Sequence, residues 1–145
     1  MERRDFIKKT CQSCLGLAVF SAGLEGCTTV YFAKTQVLKN QIVVPKSEFI
    51  YLKKDKTLNR TYVFIKNDNQ KYPICLYKIN DNYVAYWTEC MHQGCEVEVQ
   101  GNRFVCPCHG STYDLEGKVI KGPAEKNLKS FKTSSDNENI YILLA

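Results

Sequence analysis

Long apolar runs are missing from this 145-residue sequence. Its longest uncharged stretch, Thr10 to Leu24, holds 15 residues. A helical bilayer span needs ~18–20, so nothing supports a multi-span membrane protein. Strong charge of one sign is missing too. Lys and Arg number 20 against 15 Asp and Glu, a scattered surplus of five. That surplus is too mild for a nucleic-acid groove, and no nucleic-acid partner is expected. There is no internal repeat and no low-complexity linker, and no window of helical period exceeds two turns after residue 40. The length leaves room for one domain and not for two. At 44% hydrophobic and 24% charged residues, that domain can bury a core. Histidine is scarce, with His92 and His109 alone, whereas cysteine is abundant at eight. Redox or metal chemistry is therefore the first question.

The first 26 residues read as an export signal. A basic start with Arg3, Arg4, Lys8 and Lys9 leads into the short apolar stretch centred on Leu15–Phe20, closed by Glu25. Arg3-Arg4-x-Phe6-Ile7-Lys8 resembles the twin-arginine address, which exports prefolded proteins. Leu24-Glu25-Gly26-Cys27 resembles a lipobox, in which Cys27 becomes a lipid-modified N-terminus; Glu25 departs from the usual small or apolar residue. The expected organisation is a signal over 1–26, a polar tether over 27–39 and a domain over 40–145. The product would be exported and membrane-attached on the extracytoplasmic side through a lipid anchor.

Beyond residue 40, short β-branched and aromatic runs alternate with turn clusters, as half-buried strands do. Strands are predicted at Gln41–Val44, Phe49–Leu52 and Tyr62–Ile65. Ile74–Ile79 and Tyr83–Trp87 flank Asn80-Asp81-Asn82 as a hairpin, and Glu96–Val99 meets Arg103–Val105 across Gln100-Gly101-Asn102 as another. Phe131–Thr133 and Ile140–Leu144 close the chain. The fold class is all-β, a small antiparallel sandwich or barrel. Cys75, between Ile74 and Leu76, reads as a small buried apolar residue. Lys53-Lys54-Asp55-Lys56 reads as a charged loop, with docking to an acidic partner as the alternative.

Four cysteines and both histidines crowd into Cys90-Met-His92-Gln-Gly-Cys95 and Cys106-Pro-Cys108-His109-Gly-Ser111. The two clusters flank the second hairpin, so the chain folds back and sets them side by side. Two facing loops, each offering a thiolate and an imidazole, suit a binuclear iron–sulfur centre. Zinc is the competing metal, since tetrahedral Cys2His2 sites use the same donors. Against it, Cys90 and His92 stand closer in sequence than the usual zinc knuckle.

The pattern resembles the Rieske iron–sulfur family in its high-potential branch, over roughly Trp87 to Pro123. The resemblance implies a Rieske-type fold with a cluster-binding subdomain of two facing loops and one [2Fe-2S] cluster. Cys90 and Cys106 would bind one iron, His92 and His109 the other. Cys95 and Cys108 would form a disulfide joining the loops, which an exported protein permits. Ser111 and Tyr113 would donate hydrogen bonds that raise the potential, and Gly122 and Pro123 would belong to a loop shielding the cluster.

The implied activity is one-electron transfer as the iron–sulfur subunit of a quinol–cytochrome c reductase-like complex, with cytochrome b- or c-type partners and quinol. Alternatives are the small subunit of a periplasmic, arsenite-oxidase-like enzyme, whose partner is the oxidase large subunit, and a ferredoxin serving a dioxygenase. Two departures bear on the choice. Thirteen residues separate His92 from Cys106, fewer than in the reductase members. Gln93 stands where those members carry a Leu at the quinol contact, which disfavours quinol chemistry but not electron transfer. No independent catalytic constellation is present, so the chain would carry electrons for an oxidoreductase rather than turn over a substrate alone.

Overall fold

The computed structural model describes residues 30–66 and 68–144. The residues read as an export signal, and Cys27, lie outside them. Strands are the dominant regular structure of the described chain: β1 (Gln36–Leu38), β2 (Gln41–Pro45), β3 (Ile50–Lys53), β4 (Lys56–Asn59), β5 (Tyr62–Ile65), β6 (Ile74–Ile79) and β7 (Asn82–Trp87) come first. Then follow β8 (Glu98–Gln100), β9 (Arg103–Val105), β10 (Thr112–Tyr113), β11 (Val119–Lys121), β12 (Ser130–Ser135) and β13 (Asn139–Leu143). Seven strands form one antiparallel sheet in the order β1-β2-β13-β12-β7-β6-β5, and four form a small sheet, β11-β10-β9-β8. β3 and β4 make a separate hairpin. The all-β, antiparallel expectation holds. No described helix is long and apolar enough to cross a membrane.

Alternation along the strands builds two cores. Val63, Ile65, Ile74, Leu76 and Ala85 point to one side, where they pack with Ile42, Val44, Ile140 and Ile142. Their neighbours Phe64, Cys75, Tyr77 and Tyr86 point to the other side, where they meet Val97, Phe104, Tyr113 and Leu128. β5, β6 and β7 are therefore covered on both faces, which is why they read as nearly unbroken apolar runs. Burying a side chain such as Phe104 or Leu76 contributes roughly 1.5–3 kcal/mol. The second core is the floor on which the two Cys/His loops stand. Cys75 lies fully buried in it, and burial pushes its thiol far above the usual range, so it stays an inert small side chain.

Strand ends shift by one or two residues at β2, β7, β12 and β13, and three differences from the sequence reading go further. Phe49 closes a short 3-10 turn (Lys46–Phe49) rather than opening a strand, because its ring turns into the first core after Pro45 ends β2. Glu96 and Val97 precede β8 instead of forming it; Glu96 bridges Glu89, and the Val97 N–H donates to Thr88 O at 2.9 Å. The stretch read as a tether already belongs to the domain: Phe64 N–H donates to Tyr31 O, Ala33 N–H donates to Phe64 O, and β1 pairs with β2. The tether boundary at residue 39 is therefore too late. The segment is polar enough to read as a linker, yet its backbone supplies the edge of the sheet.

Candidate metal centre

The two loops share one backbone design. In the first, Cys90 N–H donates to Cys95 O at 2.7 Å and Gly94 N–H donates to Cys90 O at 2.9 Å. In the second, Cys106 N–H donates to Ser111 O at 2.8 Å and Gly110 N–H donates to Cys106 O at 2.9 Å. Each loop thus opens on a cysteine, reverses over three residues and closes through a glycine four positions on. Gly94 and Gly110 adopt φ of +71° and +77°, a region that a side chain would strain. The shared Cys-x-x-x-Gly spacing is visible in the sequence, and it would have pointed to this paired geometry.

The β8–β9 hairpin sets the loops against each other, and a disulfide between Cys95 and Cys108 locks them, with Cα atoms 6.6 Å apart. The Cys106 sulfur lies within 4.8 Å of both disulfide sulfurs. That trio is no metal site, because two of its members have no thiolate to give. The free thiols of Cys90 and Cys106 are instead buried, at 2% and 1% exposure. His92 and His109 stand on the exposed side with ring centroids 5.2 Å apart and planes at 87°. The structure therefore brings all four expected ligand residues together, sulfurs inward and imidazoles outward.

Hydrogen bonds surround the sulfurs. The Tyr113 hydroxyl lies 3.4 Å from Cys90 Sγ and accepts the Met91 N–H at 3.2 Å, which leaves its own proton for the sulfur. Burial pushes the Tyr113 phenol above its usual range, and the neighbouring Cys90 adds to that, so it remains a donor. At Cys90 burial opposes ionisation, but the Tyr113 hydroxyl and the backbone at His92 outweigh it and hold the thiol below its ordinary value. Cys106 is held above its own by burial first and by Cys90 second. Ser111 is fully buried, and its Oγ accepts the Ala124 N–H at 3.0 Å. That bond ties the Gly122–Ala124 turn to the second loop, while Gly122 and Pro123 themselves stay exposed. The Met91 and Ala124 N–H groups were missed by sequence reasoning, since backbone donors leave no residue-type signal.

This donor set fits a [2Fe-2S] cluster. Two buried thiols with hydroxyl donors suit one iron and its sulfurs, and two outward imidazoles suit the other. The paired loops give it two matching sides.

Comparison with known proteins agrees. Residues 42–132 match the Rieske [2Fe-2S] domain family. The cytochrome b6-f complex iron-sulfur subunit of Synechococcus sp. (strain WH7803) is 38% identical over 84 residues, covering 57% of this chain and 42% of that protein. The subunit of the same name from Synechococcus elongatus is 42% identical over 76 residues, covering 51% of this chain and 37% of that one. The chain thus spans less than half the length of these curated relatives. Among solved structures, the plasma membrane Rieske protein PetC3 from Synechocystis PCC 6803 is 30% identical, with a TM-score of 0.50, covering 57% of this chain and 85% of that one. The family match runs from β2 into β12, across both Cys/His loops and the sheets that carry them, and on that ground this chain belongs to the Rieske [2Fe-2S] family.

Proposed function

We propose that the chain passes single electrons as the iron–sulfur subunit of a quinol–cytochrome c reductase-like complex, with Cys90, His92, Cys106 and His109 holding its [2Fe-2S] cluster. The observation that carries this reading is the meeting of two buried thiols and two outward imidazoles on paired loops. The relatives named cytochrome b6-f complex iron-sulfur subunit supply the choice of complex. When bound, the cluster supplies a reversible one-electron couple. Cys90 and Cys106, buried in the second core away from water, would hold one iron. His92 and His109 would hold the other, and both stay exposed to a partner and to solvent. Tyr113 donates to Cys90 Sγ, and Ser111, anchored by the Ala124 N–H, directs its hydroxyl proton toward the cluster side. Both donors favour the reduced, more negative state. The Gly122-Pro123 turn, held by the same Ala124 bond, screens that side. Residues 1–26 would export the protein and Cys27 would carry the lipid, leaving the domain outside the cytoplasm beside the membrane.

A second reading rests on Gln93, which lies exposed at the tip of the first loop beside His92. A carboxamide there suits a polar protein face better than a quinol pocket, as in the small subunit of a periplasmic oxidase. Isolation of the intact chain from its native membranes separates the two. Co-isolation of b- and c-type haems supports the reductase reading, and co-isolation of a molybdopterin protein without haem b supports the oxidase reading.

A further inference from the structure

The β3–β4 hairpin stands apart from both sheets. Its pairing puts Ile50 and Leu52 on one face and Tyr51, Leu58, Lys53 and Lys56 on the other. The Ile50–Leu52 face is uncovered, with Leu52 77% exposed and Ile50 50%; on the other face Leu58 is 37% exposed and Tyr51 half-buried. An aliphatic side chain so near a solvated tip gains nothing within the fold. The tip itself is basic. Lys53 and Lys56 are directly opposed across the hairpin, an arrangement that like charges disfavour. The turn between them is Lys54-Asp55 with φ of +49° and +61°, where Asn-Gly is the preferred pair. Among the described residues, no ion pair engages Lys53, Lys54 or Lys56.

The hairpin also sits where the chain enters the domain. The Arg60 guanidinium lies 3.7 Å from the Tyr31 ring centroid and 4.5 Å from that of Tyr51, so it clamps the entering strand to the hairpin base. Arg60 also donates to the carbonyls of Glu48 and Ile50, both at 3.2 Å. Tyr31 lies four positions after Cys27, a reach of roughly 14 Å at full extension.

We propose that the β3–β4 hairpin docks on an anionic bilayer surface, with Lys53, Lys54 and Lys56 meeting the headgroups and Leu52 and Ile50 entering the interface. The inference rests on the reading that the N-terminus is membrane-attached, because that attachment confines the hairpin to the membrane's vicinity. Exposed apolar side chains beside clustered lysines are the composition that interfacial elements use. Each lysine near an anionic surface strengthens binding about five-fold. A lipid anchor alone holds reversibly and gains stability from a second, basic contact. The hairpin supplies that contact.

The test uses the full chain with its cluster, mixed with vesicles of phosphatidylcholine alone or with phosphatidylglycerol. Sedimentation and amide hydrogen exchange are both read. Exchange over residues 51–57 should slow about ten-fold or more on the anionic vesicles relative to the neutral ones, given the three lysines. The triple variant Lys53→Gln, Lys54→Gln, Lys56→Gln should lose that protection, and Leu52→Ser should weaken it, both with the visible spectrum unchanged. Sedimentation with neutral vesicles reports the N-terminal attachment separately. A chain that sediments while residues 51–57 exchange alike on both vesicles overturns the hairpin proposal and leaves attachment standing. One that sediments only with anionic vesicles, protected over 51–57, supports the hairpin and overturns attachment. A chain that sediments with neither overturns both.

Discussion

Ser111 Oγ accepts the backbone N–H of Ala124 at 3.0 Å, deep in the molecule, and so couples the second cluster loop to the turn that covers it. With one lone pair so engaged, the Ser111 hydroxyl is oriented, and its proton is free for an acceptor on the cluster side. Tyr113 repeats the device: its oxygen takes the Met91 N–H and its proton is left for Cys90 Sγ. Both hydroxyls are thereby preorganised by backbone donors.

Ser111→Ala and Tyr113→Phe should each lower the midpoint potential, by roughly 40–60 mV. That corresponds to about 1–1.4 kcal/mol of hydrogen bonding gained on reduction. Ser111→Ala also orphans the buried Ala124 N–H and should cost about 1–3 kcal/mol of stability. Protein-film voltammetry with thermal unfolding checks both, and an unchanged potential in either variant would remove that residue from the tuning role.

Replacing Cys95 and Cys108 together by Ala should cost about 2–4 kcal/mol, since the bond closes a loop of 13 residues of separation. The loss falls on the clasp between the two loops, so the cluster should bleach well before the sheets unfold. Absorbance and far-ultraviolet circular dichroism followed in one thermal ramp resolve the two events; coincident transitions would mean the clasp is not local.

Gly117 and Gly101 make a controlled pair. Gly117 has φ +74°, and a Cβ there would stand 2.5 Å from the Tyr86 ring, whereas Gly101 has φ +63° and open space. Gly101→Ala should therefore cost about 1 kcal/mol for backbone strain alone. Gly117→Ala adds overpacking against a core aromatic, for about 2–4 kcal/mol in total. Urea titration measures the difference, and equal costs would contradict the packing at Tyr86.

Asp136 gives the acid side of the stability profile. The Tyr141 hydroxyl, at 2.6 Å, and the N–H groups of Asn139 and Glu138 hold its carboxyl down at about 2, from an ordinary 3.8. A folded value below the unfolded one means stability that is present above 3.8 and lost as pH falls toward 2. Asp136→Asn should flatten that part of the profile and leave the neutral region nearly parallel to wild type. A mutant with the wild-type acid slope would place the titration elsewhere.

Much of this was legible in the sequence, for physical reasons that can be named. β5, β6 and β9 run over the residues predicted, because Tyr62–Ile65, Ile74–Ile79 and Arg103–Val105 carry their burial in residue type. The expected disulfide is formed, and the four expected ligand residues converge. β10 went unread because Thr112-Tyr113 reads first as part of the site, and β11 because two of its three residues are exposed. β4 was hidden by the charge of Lys53–Lys56, which looked like a loop and is in fact a two-residue hairpin turn with its flanking strand ends. The edge strand β1 was hidden for a similar reason, since all three of its residues are exposed and its contribution is made by backbone.

On the proposed function, Cys90 and Cys106 would hold one iron and His92 and His109 the other. An EPR-monitored redox titration of the intact, iron-loaded chain tests it directly. A rhombic Rieske-type signal is expected, with a midpoint between about −150 and +300 mV, abolished by replacing any one of the four residues. A midpoint near −400 mV would indicate all-cysteine ligation. A silent protein that binds zinc stoichiometrically would contradict the cluster, and the electron-carrier reading with it.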